Sequence, residues 1–148
     1  ESSARIQADA RLDCGAPATR GFTATCLARK PQEINVGAVP LQLFALHYDG
    51  DRLAAVEARL SELRHQDAAR ALAAAYGEAD AEAEKLRAGM GGVFENAIYV
   101  WRQRETLLRL EQFFRSITTS SVIPTTEAHL SKLVIPKVTN ARTGIKDL

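Results

Sequence analysis

Three histidines, two cysteines and a scatter of serines and arginines are the residues of this chain whose types could do chemistry. Cys14 and Cys26 bracket Gly15-Ala16-Pro17-Ala18-Thr19-Arg20-Gly21, a loop-forming stretch. Two cysteines flanking a turn read as one disulfide formed in an oxidising compartment, and so as an exported protein. The alternative is two buried thiols in a cytosolic protein. His47, His65 and His129 stand far from one another and from the cysteines in sequence, and there is no Cys-x-x-Cys, so the spacing of a zinc site is missing. Ser116, Ser120, Ser121 and Ser131 could serve a nucleophilic triad, but none sits in a Gly-x-Ser-x-Gly elbow. Gly89-Met90-Gly91-Gly92 lacks the lysine and hydroxyl residue that complete a phosphate loop. The sequence therefore assigns no catalytic residue, no metal ligand and no cofactor.

A second constellation suits binding rather than catalysis. Arg102, Arg104, Arg109 and Arg115 interleave with Tyr99, Trp101, Phe113 and Phe114. Such a mixture can stack on single-stranded nucleic acid, but Glu105 and Glu111 dilute it and the whole chain carries a net charge of only +1. That leaves core packing or a protein interface, where tryptophan, tyrosine and arginine concentrate binding energy. Tyr99, Trp101, Arg102 and Arg104 are the candidates on this segment. Tyr48-Asp49-Gly50-Asp51 is another: as a hairpin tip it would project an aromatic and two carboxylates, either into water or into the basic cleft of an enzyme. Tyr48 and Asp49 are its candidate contacts.

These residues need elements to position them. The 148 residues suffice for one domain, 46% of them are hydrophobic, and 25% are charged. No apolar run is long enough to span a bilayer. The missing initiator methionine suggests a removed leader. Ser2 to Leu12 patterns as a short amphipathic helix. Gly21 to Arg29 is a strand, with Phe22, Ala24 and Cys26 on one face and Thr23, Thr25 and Leu27 on the other. Lys30-Pro31-Gln32-Glu33 breaks it. Val39 to Tyr48 is the clearest strand, and Asp49-Gly50 then demands a tight turn. Arg52 to Leu60 should return as a strand, with Val56, Ala58 and Leu60 inward and Glu57 and Arg59 outward, although a helical stripe also fits.

Asp67 can cap a helix over Ala68 to Tyr76 that buries Ala68, Leu72, Ala75 and Tyr76 and stops at Gly77. Glu78 to Gly92 reads as a connector with a helical turn at Ala81 to Leu86. Val93 to Trp101 and Thr106 to Phe113 pattern as a hairpin, Phe114 to Ser121 as irregular chain, and Val122 to Val134 as a last strand or two. The expected fold is α+β: an antiparallel sheet with helices on one face, in the order α-βββ-α-βββ. Its domain is 1–135, in pseudo-halves 1–62 and 63–135, and 136–148 is a polar tail.

Asp13-Cys14, Thr25-Cys26 and the run Leu41-Gln42-Leu43-Phe44-Ala45-Leu46-His47-Tyr48-Asp49-Gly50 resemble small exported bacterial proteins of the BLIP-like and BamE/SmpA-like kind. The Tyr76-Gly77 helix end and the Tyr99-Val100-Trp101 strand look like uncharacterised periplasmic proteins. The usual Gly-Met-Thr-like start of the first helix is missing here. The resemblance implies a non-catalytic periplasmic or secreted protein whose partner is another envelope protein. An inhibitor of a secreted hydrolase is the alternative, and a small hydrolase or ligand carrier the second. An exposed edge strand would also allow a homodimer.

Overall fold

The computed structural model describes residues 11–87, 91–133, 139–140 and 145–147. The expected first helix falls mainly outside them, and Leu12, its expected last residue, instead opens a strand. Eight antiparallel strands build the sheet. β1 (Leu12–Gly15), β2 (Ala24–Ala28), β5 (Leu43–Asp49) and β6 (Arg52–Ser61) come from the first half. β7 (Asp80–Arg87), β8 (Val93–Gln103), β9 (Thr106–Glu111) and β10 (Thr119–Thr126) come from the second. Each set is a meander, and their last strands, β6 and β10, pair antiparallel to fuse the two. Short β12 (Ile145–Asp147) adds in parallel to β7, and β11 (Thr139–Asn140) pairs with β12. A small side hairpin, β3 (Asn35–Val36) with β4 (Val39–Pro40), stands apart from the sheet.

Local chemistry explains most of the elements. Gly50 has φ 62°, the positive value that a tight Asp-Gly hairpin turn needs. The strand reading of Arg52 to Leu60 therefore prevails over the helical one. The turn between β8 and β9 bends at Arg104, which accepts φ 55° without being glycine. Pro124 sits inside β10, yet β6 pairs with β10 only as far as Val122. The missing proline N–H thus falls beyond that ladder, and Thr125 Oγ1 closes the gap by donating to the Ala54 carbonyl at 3.1 Å.

Helix α1 (His65–Tyr76) follows a 3-10 turn at Glu62–Arg64. It starts earlier than the sequence predicts, and Arg64 rather than Asp67 holds the cap position. Asp67 instead pairs with Arg64 at 2.7 Å. Ala68 and Leu72 pack on Ala58, Leu60, Leu110, Val122 and Trp101 to form the main core. Each fully buried leucine of this kind contributes roughly 1.5–3 kcal/mol. Ala75 and Tyr76, expected to be buried, lie exposed at the helix end. Gly77 then stops the helix with φ 88°.

On the second half the expected hairpin of Val93 to Trp101 with Thr106 to Phe113 forms as β8 and β9, while its neighbours differ from expectation. Asp80–Arg87 is a strand rather than a connector with a helical turn, because pairing with β8 along its whole length outweighs the helix propensity of its alanines and glutamates. Chain after Thr126 forms helix α2 (Glu127–Leu133) instead of a further strand. The element order therefore departs from α-βββ-α-βββ. Nor do the helices share a face. Leu133 packs with Phe22, Ala55, Phe114 and Ile123, which alternate with the residues under α1, so α2 covers the opposite side. Phe22 belongs to this second layer and not with Cys26, since it precedes the first strand residue of β2.

Candidate functional site

Both hairpin tips, residues 49–52 and 103–106, lie at one end of the sheet, and α1 ends there too. Where α1 stops short of the sheet margin, an open groove of about 680 Å³ remains. Leu53, Val56, Pro124, Leu108 and Trp101 supply its apolar floor from four neighbouring strands, and Tyr76 forms a wall. Tyr76 is 63% exposed and Leu53 41% exposed. The strand pleat puts Val56, Pro124, Leu108 and Trp101 on the α1 face, and the extra residue Ala54 in β6 brings Leu53 to the same face, so the groove continues the core cross-section into solvent. Trp101 is held rigidly: its Nε1 donates to the Gly77 carbonyl at 2.8 Å, which ties β8 to the helix end. Tyr99 stacks on His65 at 5.9 Å and tilts against Trp101 at 6.3 Å.

A second arrangement lies buried on the α2 face. His47 Nε2 meets Glu57 Oε1 at 3.0 Å, and His47 Nδ1 meets Thr25 Oγ1 at 3.3 Å. The Arg59 Nε donates to the second Glu57 oxygen at 2.5 Å. Phe22 stacks on the His47 ring at 4.9 Å. Burial pushes the Glu57 carboxyl up, but the His47 hydrogen bond and the nearby Arg59 charge together hold it below the usual carboxylate range. Hydroxyl, imidazole and carboxylate stand in the order used by nucleophilic hydrolases. Thr25 is 3%, His47 1% and Glu57 3% exposed, so no substrate reaches them. The group acts as a buried polar clasp between β2, β5 and β6.

No family model, curated protein or solved structure matches this chain. The function is therefore read from geometry alone. The structure forms the expected disulfide between Cys14 and Cys26, which face each other across the β1–β2 pair. This bond fits an oxidising compartment. Among the described residues no helix is long and apolar enough to cross a membrane.

Of the sequence candidates, Trp101 and Arg102 reach the groove. Arg102 also pairs with Asp80 at 3.4 Å. Arg104 caps the neighbouring turn with its side chain exposed. Tyr48 does not project from the hairpin: the strand alternation sets it on the face of Leu46 and Cys26, where it is fully buried. Asp49 does stay at the tip, 3.8 Å from His129 Nε2 and 4.0 Å from Lys132 Nζ of α2.

The described candidate serines do not meet a histidine: Ser121 Oγ is buried with no hydrogen-bond partner among the described residues. Ser120 Oγ donates to the Gln112 carbonyl at 2.6 Å, and Ser116 Oγ bonds Thr118 at 3.1 Å. Gly89 and Met90 lie outside the described residues, as does the Ser131 side chain. Among the described residues no cluster of three or more histidine, cysteine or carboxylate groups could hold a metal.

The sequence reading misses Leu53 and Tyr76 in the groove. Only their terminal positions, on a strand just after a turn and on a helix just before its glycine stop, could have singled them out. It also misassigns Glu57. The period of two places it opposite the α1 core, as expected, but that face is not water: α2 and the Phe114 loop cover it.

Proposed function

We propose that this protein is a non-catalytic periplasmic or secreted module that binds another envelope protein. One observation carries the reading: the open groove between the hairpin tips and the end of α1, where rigid Trp101, exposed Tyr76 and exposed Leu53 stand together. Clustered aromatic and aliphatic side chains in an open, concave place are what a partner's anchor residues desolvate best. The Cys14–Cys26 bridge supports the compartment. The burial of Thr25, His47 and Glu57 removes the most enzyme-like constellation from reach of a substrate.

The test is affinity capture from an envelope extract and from the growth medium with the native chain and three variants. Tyr76→Ala and Leu53→Asp alter the groove, and Leu63→Ala alters an apolar side chain that is 88% exposed outside it. A partner of the groove binds the native chain and the Leu63 variant alike and loses about tenfold or more in affinity with either groove variant. Capture of the same proteins by all forms would overturn the reading.

A further inference from the structure

We infer that Pro124 is the positioning residue of the groove: it ends the β6–β10 ladder early and so keeps the two meanders parted where the groove lies. This rests on the groove as the binding site and names the residue that holds it open. β10 is an interior strand, with β6 on one side and β9 on the other. Proline in the middle of a sheet removes a ladder hydrogen bond and is otherwise confined to edges and bulges. A central proline therefore breaks a local rule, and such breaks gather at functional places.

The register shows which bond is lost. β6 and β10 pair from Ser61 with Thr119 to Ala58 with Val122. The Glu62 N–H donates to the Thr118 carbonyl at 3.0 Å. Hydrogen-bonded pairs then recur at every second position, as Leu60 with Ser120 and Ala58 with Val122. The next in the series is Val56 with Pro124. There the Val56 carbonyl needs an N–H from residue 124, and proline has none. Pairing stops at that point. The neighbouring ladders run on to this end of the sheet: β5–β6 to Asp49 with Arg52, β8–β9 to Gln103 with Thr106, and β9–β10 to Thr106 with Thr126. The parted end is held rather than frayed, since the buried Thr125 hydroxyl donates across it to the Ala54 carbonyl. The groove follows the parting. Val56 and Pro124 line it from the α1 face, and Ala55 and Leu107, which pack on the α2 side, line it as well. Lining from both faces of one sheet fits a cleft that enters between parted strands.

The experiment replaces Pro124 by valine and, separately, by alanine. Both supply the N–H, and alanine keeps the test open should the bulkier valine fail to fold. Amide hydrogen exchange reads the new bond directly: the amide of residue 124 should exchange at least about tenfold more slowly than in an open chain. The urea midpoint should rise above that of the native chain. Anilinonaphthalenesulfonate, a dye that brightens on exposed apolar surface, reads the groove, and both variants should bind it about tenfold more weakly than the native chain does. A merely structural proline would move stability and leave dye binding unchanged. A freely exchanging amide at residue 124 would overturn the inference, because the parting would then belong to the extra residue Ala54 of β6. Equal dye binding by the native chain and both variants would overturn it too. None of these readouts uses a partner protein. A protected amide and lost dye binding with unchanged envelope capture would therefore strike the binding reading and leave the positioning by Pro124 standing.

Discussion

The two meanders each bury a carboxylate on the α2 face, and they neutralise it differently. Glu57 on β6 and Glu111 on β9 are 3% and 1% exposed. Each leans on an arginine two positions away on its own strand, Arg59 or Arg109. The other oxygen of Glu57 meets His47, a group that can change its charge. That of Glu111 accepts from Asn96 Nδ2 at 3.0 Å, and an amide cannot titrate. Asn96 is further fixed because its Oδ1 accepts the Phe113 N–H at 2.8 Å. The arginines differ too. The Arg59 side chain is 29% exposed and lies over the Phe114 ring at 5.3 Å, whereas that of Arg109 is only 12% exposed. Burial of an acid is thus achieved once with an adjustable partner and a wet cation, and once with a fixed amide and a dry one.

Removing the two charges separately should sharpen this contrast most. Glu111→Gln strands Arg109 in a dry place, and a buried pair broken on one side costs about 3–5 kcal/mol. Glu57→Gln leaves the partly exposed Arg59 with water and Phe114, so the loss should be smaller, about 1–3 kcal/mol. Urea midpoints of the two variants, at unchanged slope, measure the difference; equal losses would break the comparison.

Next in size is the covalent difference. The first meander is stapled by Cys14–Cys26, twelve residues apart in sequence, and the second has no cysteine. Replacing both cysteines by serine should cost about 2.5–3 kcal/mol in the chain-entropy view. Hydrogen exchange should then show β1 and β2 opening first, with β8 and β9 still protected. Uniform loss of protection would mean that the two halves unfold as one unit.

The smallest effect concerns acid. Burial holds His65 below the ordinary histidine range, despite an opposing pull from Glu62. Neither of its ring nitrogens has a hydrogen-bond partner among the described residues. A group with a depressed folded pKa gives stability that is full above its unfolded value and is lost as pH falls toward the folded one. His65 should therefore weaken the α1 contact as pH drops below about 6.5, and Glu57 should add a second loss below about 4.3. In a series of urea titrations from neutral to acid pH, His65→Phe should flatten the upper slope only and Glu57→Gln the lower one only. One slope removed by both substitutions would show that the sites are coupled.

Much of this was legible in the chain. Asp49-Gly50 announced its hairpin because a tight turn needs positive φ, and few dipeptides supply it. The alternation of Leu108 and Leu110 with Leu107, Arg109 and Glu111 placed β9 correctly. Gly77 marked the end of α1. β7 was illegible because its sequence has no apolar period: apart from Leu86 its side chains bury little, and its backbone pairing with β8 leaves no trace in side-chain type. Helix α2 was hidden for the converse reason, since Val122 and Ile123 lead into it and suit a strand. Of the groove, Trp101 and Arg102 were visible as residue types. The helical stripe places Tyr76 in the core, because a stripe cannot say where the sheet beneath it ends.

The sequence by itself determined the disulfide partners, the hairpin at Asp49-Gly50 and the hairpin of Val93 to Trp101 with Thr106 to Phe113, because each depends on neighbours close in the chain. Tertiary structure alone decided that Glu57 and Glu111 are buried, that Tyr48 turns inward, and that the groove lies open. Each of those depends on whether a second layer covers a given strand face. That is settled by where α1 stops and where α2 and the Phe114 loop fold back, over separations that no local pattern encodes.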